Sequence, residues 1–206
     1  MHRFKTARAL ALAGFALLIA SNTAPAQQPE MVRVRGTIEK IDGSVMTVKA
    51  RDGATLTIKL ADNLRVLGLV KISIADIKPG AYVGVSAVPN PGGGLKALHV
   101  HQFLEAMRGV AEGHRPWDLG AQTTMTNATV AEAMAVSGGQ TLVLKYKDGE
   151  QKVLVSPDIP IVSYVPGDKS ELKAGAQIVI IAAQKLPDGT LAAANVTVGR
   201  GVTPPM

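Results

Sequence analysis

The chain repeats itself. "VRGTIEKIDGSVMTVKARDGATLTIKL" (Val34 to Leu60) is followed by "SIADIKPGAYVGVSA" and "GGGLKALHV". Later, "TNATVAEAMAVSGGQTLVLKYKDGEQKVLV" (Thr126 to Val155) is followed by "KSELKAGAQIVIIAA" and "PDGTLAAANVTV". Gly53 matches Gly149 at an offset of 96 residues, Gly80 matches Gly175 at 95, and Leu95 matches Leu191 at 96. A near-constant offset over three landmarks is the mark of a duplicated structural unit. Any fold for this chain must therefore be one the same pattern can adopt twice.

Each copy reads as β-structure. Leu56, Ile58 and Leu60 alternate with Thr55, Thr57 and Lys59, the period of a half-buried strand. Asp52-Gly53, Asp148-Gly149 and Asp188-Gly189 separate such runs, and Asx-Gly favours tight hairpins. The segments "SIADIKPG" and "KSELKAG" fit one helical turn ended by glycine, each just before a strongly apolar strand. Five or six strands per copy with almost no helix predict an all-β chain of two tandem small OB-like β-barrels. The expected boundaries are 32–103 for the first barrel, 104–125 for a connector without a repeat counterpart, and 126–199 for the second barrel.

Ahead of the repeat lies a targeting pattern. Arg3, Lys5 and Arg8 precede the apolar run "ALALAGFALLIA" (Ala9 to Ala20), and Ala24-Pro25-Ala26 offers small residues at a cleavage site. The run is shorter than the roughly 20 residues a bilayer requires. Residues 1–26 are expected to be a cleaved signal peptide that delivers the mature chain to the periplasm. The formal charge of +6 shrinks with it, because three basic residues and no acidic ones leave, and 19 basic residues then face 16 acidic ones. The high pI is thus partly a property of the signal. The chain has no cysteine, which excludes disulfides, thiolate metal sites and thiol nucleophiles.

The order G-x-[IV], a D-G hairpin, a short "D/E-L/I-K-x-G" turn, a "V-x-V" strand and "dG-x-L-x-A-x-x-V" resembles a bacterial exported family of unknown function. Its repeats are predicted to be OB-like barrels, and some relatives carry loose metal-transporter labels. Both copies match, over most of residues 32–198, and the stretch "EAMRGVAEGHRPWDLGAQTTMTNATV" resembles the connector of two-copy members. The resemblance implies an exported tandem-barrel protein and brings no catalytic residues with it. A permease is inconsistent with this sequence, which has no apolar run of membrane length after the signal.

Two features invite a functional reading. His99 and His101 are two apart on one strand, so both face one way, and His114 follows in the connector. Three imidazoles, with Glu105, Glu112 or Asp118 as oxygen donors, would satisfy zinc or copper(II). The repeat argues for a plainer outcome. His99 aligns with Asn195 and His101 with Thr197, so the histidine face is expected on the solvated outside of the barrel. The second feature is "HRPWD": Trp117 is expected to plug the junction between the barrels or to anchor a partner, with Arg115 and Asp118 pairing across the turn.

Other classes fare worse. Nucleic-acid binding needs stacking aromatics on a basic groove, and after the signal only Tyr82, Phe103, Trp117, Tyr146 and Tyr164 are aromatic, and they are scattered. No G-x-S-x-G elbow, Walker loop or H-E-x-x-H is present, and "PNPGGGLKA" lies between strands with no following helix to cradle a phosphate. The expected function is a non-enzymatic envelope binding or interaction module, with Arg115, Trp117 and Asp118 as the contact for an envelope protein or small ligand. A periplasmic zinc or copper protein built on His99, His101 and His114 is the alternative.

Overall fold

A computed structural model describes residues 29–205. The expected signal peptide lies outside the described residues. The fold is all-β: β1 (Met31–Asp42), β2 (Val45–Ala50), β3 (Thr55–Lys71), β4 (Tyr82–Pro89), β5 (Leu95–Gln102), β6 (Gly113–Pro116), β7 (Thr124–Val136), β8 (Gly139–Tyr146), β9 (Gly149–Val155), β10 (Ile161–Pro166), β11 (Gln177–Lys185) and β12 (Leu191–Gly199). The helical elements among the described residues are single 3-10 turns. Two of them, Ile74–Asp76 and Lys169–Glu171, stand in the matching "SIADIKPG" and "KSELKAG" segments, and both segments end on a glycine of positive φ, Gly80 and Gly175. Gly53 and Gly189 turn their hairpins with positive φ as Asx-Gly implies, whereas Gly149 does not.

Two parts of one 12-stranded sheet close into rings, and each ring draws strands from both repeated segments. In ring one, β1 pairs with β2, β2 with β3, β3 with β12, β12 with β11, and β11 with β1. In ring two, β4 pairs with β5, β5 with β9, β9 with β8, β8 with β7, and β7 with β4. Every neighbour is antiparallel except β3 with β12 and β5 with β9, which are parallel. Each ring thus takes three strands from one repeat and two from the other. Residues 32–103 and 126–199, the expected barrels, are not the two closed units. The repeats have exchanged their last two strands.

The cores follow the rings. Val34, Ile38, Met46, Val48 and Ile58 of the first repeat pack with Ile178, Ile180, Val196 and Val198 of the second. Val83, Val85, Ala97 and Val100 pack with Ala128, Val130, Leu142, Leu144 and Val153. The strand β3 makes the exchange possible. It runs on for 17 residues, about 55 Å at the usual strand rise, and its far half reaches the seam between the rings. There it pairs antiparallel with β10, which also lies parallel to β5. A third core fills this seam: Leu69, Tyr82, Phe103, Val162, Tyr164 and Val179. Phe103 is central, with ring centroids 5.2 Å from Tyr82, 5.5 Å from Tyr164 and 4.7 Å from His101.

Candidate functional site: a cleft roofed by the connector

The connector is fastened to both rings. A 3-10 turn at Glu105–Met107 is followed by Arg108, whose guanidinium holds Glu105 and donates to the Gly80 carbonyl at 2.8 Å and Thr129 Oγ1 at 3.2 Å. The short strand β6 then pairs with β7, placing His114 opposite Thr126 and Arg115 opposite Met125. Pro116 ends that strand, as it has no N–H for a further rung. The next turn is closed by Thr123, whose Oγ1 donates toward the Trp117 and Gly120 carbonyls, each at 2.7 Å.

Asp118 reaches across to ring one. Its carboxylate takes a bidentate pair of bonds from Arg35 at 2.8 and 3.1 Å and an ion pair from Arg33 at 2.6 Å, both on β1. The Arg35 hydrogen bonds come first, and Arg33 adds to them, in bringing its pKa down to about 2. The expected Arg115–Asp118 pair is not formed; Arg115 donates instead to the Ala111 carbonyl at 2.7 Å. Trp117 lies between the two arginines, with Arg33 3.9 Å above its ring centroid and Arg115 at 5.6 Å. Trp117 does stand at the junction of the barrels, held there by cations rather than by a wholly apolar plug.

Beneath the connector is a cleft of about 500 Å³, a volume in the range of small-molecule sites. Its apolar wall includes Leu67, Phe103, Leu104, Met107, Val110 and Ile181; Val110 and Ile181 are among the large apolar side chains left exposed. Polar groups converge on it from four strands and the connector: Arg65 on β3, His101 on β5, Asn127 on β7, Thr197 on β12, and Arg115 and Trp117. The Trp117 indole N–H and Asn127 Oδ1 are buried without a hydrogen-bond partner. Buried polar groups are rarely left so.

The histidines are not on a solvated face. His99 is 1% exposed and His101 3%. They do lie outside the barrel core, which Val100 enters, but the seam and the connector cover that outer face. Each ring needs room on the neighbouring strand. Gly84 lies opposite His101 and Ser86 opposite His99, and a Cβ on Gly84 would fall 2.1 Å from His101 Nε2. In the other repeat Val179 sits opposite Thr197. Large against small has been traded for small against large. The signal that could have revealed burial was therefore Gly84-x-Ser86 on the facing strand, where the second repeat carries Val179 and Ile181.

The imidazoles form a chain. Ser86 Oγ lies 2.6 Å from His99 Nδ1, and His99 Nε2 lies 3.4 Å from His101 Nδ1. Ser86 is wholly enclosed, and its hydroxyl shares a hydrogen bond with His99 Nδ1. Burial holds both rings neutral: it lowers the His99 pKa to about 4 and the His101 pKa well below its usual value. The enclosed Ser86 oxygen is out of reach of any substrate.

The structure brings His99 and His101 together but does not gather His114 with them. His114 is on β6, exposed, with Nδ1 2.8 Å from Thr126 Oγ1. Among the described residues no group of three or more His, Cys, Asp or Glu side chains converges on a point where an ion would sit. Comparison with protein-family models, curated proteins and solved structures finds no match to this chain.

Proposed function

We propose that the protein is a non-enzymatic binding protein of the periplasm or cell envelope, and that the cleft between the exchanged barrels holds a small ligand. The observation that carries this reading is the cleft itself. It has ligand-sized volume, a mostly apolar wall and a few polar groups aimed from separate elements, the usual anatomy of a small-molecule site. Arg115 and Trp117 contact the ligand directly. Asp118 acts by tying the roof to Arg33 and Arg35. The compartment rests on the signal-like pattern of residues 1–26 and on the resemblance to exported tandem-barrel proteins. Binding rather than turnover is favoured by the chemistry of the wall, which offers hydrogen-bond donors and apolar surface but no base paired with an accessible nucleophile.

Native mass spectrometry of protein isolated from its own cells tests the proposal. A small molecule retained at one per chain, and lost in Ala182→Trp, is the expected result, since Ala182 lines the cleft and a bulky ring there fills it. Retention unchanged in a folded Ala182→Trp variant would move the ligand elsewhere. A bare wild-type chain that also fails to take up an apolar dye would remove the site.

A further inference from the structure

The charges around the cleft narrow the ligand class. Arg65 and Arg115 line it, and no Asp or Glu does. Among the other described arginines, Arg33 and Arg35 hold Asp118, Arg108 holds Glu105 and Arg200 holds Glu171, while Arg51 donates to the Pro204 carbonyl. Arg65 and Arg115 form no ion pair with a described carboxylate. Arg115 is desolvated as well, and burial lowers its pKa. Leaving a partly buried cation without a counter-charge is unfavourable. The neutral groups of the wall point the same way. Trp117 Nε1–H is a donor without an acceptor. The exception is Asn127 Oδ1, a buried acceptor without a donor.

We infer that the ligand of this cleft is a single-chain amphiphile with an anionic head, the apolar chain lying on Phe103, Leu104, Met107 and Val110 and the head meeting Arg65 and Arg115. The inference rests on the proposed binding function and adds the chemical class of what is bound. The cleft, at about 500 Å³, has room for about 17 groups the size of a water molecule in the liquid. That fits one acyl chain of about a dozen carbons and is too small for a two-chain lipid. The head is a carboxylate or another compact anion, which a guanidinium fork receives through paired hydrogen bonds.

The test uses dodecanoate, dodecan-1-ol and dodecyltrimethylammonium, each below its micelle concentration. Trp117 is the only tryptophan of the chain and lies in the cleft wall, so its emission reports occupancy; calorimetry checks each affinity independently. Dodecanoate is expected to bind at one per chain, at least tenfold more tightly than dodecan-1-ol, with the cation weakest. Arg65→Gln and Arg115→Gln are each expected to weaken dodecanoate about tenfold and to leave dodecan-1-ol unchanged. Equal affinity for the acid and the alcohol would overturn the anionic class while leaving the cleft a binding site. No binding of any of the three would overturn the binding function too.

Discussion

An imidazole enclosed in protein loses the water that stabilises its charged form, so its pKa falls. His99 titrates at about 4 in the fold against 6.5 in water, through burial first and the nearby Arg35 charge second. The unfolded chain therefore takes up a proton below pH 6.5 that the folded chain refuses until about pH 4. The stability this ring supports is complete above pH 6.5 and is lost as pH falls from 6.5 toward 4, on the order of 3 kcal/mol for a shift of that size. His101, which burial also holds well below its usual value, adds to the loss in the same direction. Asp118 acts in a lower window, between about 3.8 and 2, because its folded pKa is depressed from the acid side. The urea midpoint is accordingly expected to drop between pH 7 and pH 4.5. In His99→Asn/His101→Thr, which installs the residues of the second repeat, that slope should largely vanish. Equal slopes in the two proteins would mean the rings are not buried neutral. The sequence shows that the two histidines share a face, because that follows from strand periodicity alone. It places them on the solvated side, because polarity in one repeat was carried to the other. What covers an outer face is decided by a second ring and a connector, which the strand's own pattern does not encode.

At the scale of the element, the connector behaves as a strap anchored at three places. Arg108 fixes its start to Gly80 and Thr129, β6 is zipped to β7, and Asp118 clasps β1. The clasp is screened by solvent, because the Asp118 side chain is 45% exposed. Asp118→Asn is expected to cost only about 0.5–1 kcal/mol of global stability, yet to loosen the strap locally. Limited trypsin digestion should show faster cleavage after Arg108 in Asp118→Asn, with an unchanged circular dichroism spectrum. Cleavage at the wild-type rate would show that the clasp does not hold the roof. The connector stands out in the sequence as the segment without a repeat counterpart, and Trp117 as its one large apolar side chain. The partners of Asp118 were not legible. A sequence suggests the cation three residues away, whereas the fold supplies Arg35 at 83 residues' distance, on β1 of the other ring.

For the whole molecule, the exchange of strands is what creates the cleft. Neither repeat can leave its partner without opening both rings, so the seam between them is as fixed as the cores. The all-β class is legible, since it depends on local periodicity and turn chemistry. Which copy completes which ring is not legible. The "V-x-V" strand of one repeat offers the same apolar alternation as that of the other, so both pairings satisfy the pattern equally. The uninterrupted length of β3, which carries the chain to the seam, is the physical reason the exchanged pairing is realised. The most direct measurement uses the absence of cysteine, since an introduced pair has no competitor. Thr37 and Gln177 face one another across β1 and β11, and Tyr82 is the counterpart of Gln177 in the first repeat. Under mild oxidation of the folded protein, Thr37→Cys/Gln177→Cys should form a disulfide rapidly and nearly completely, as geometry at a strand pair allows, while Thr37→Cys/Tyr82→Cys should not. A bridge in the second pair and none in the first would contradict the exchanged barrels and the cleft between them.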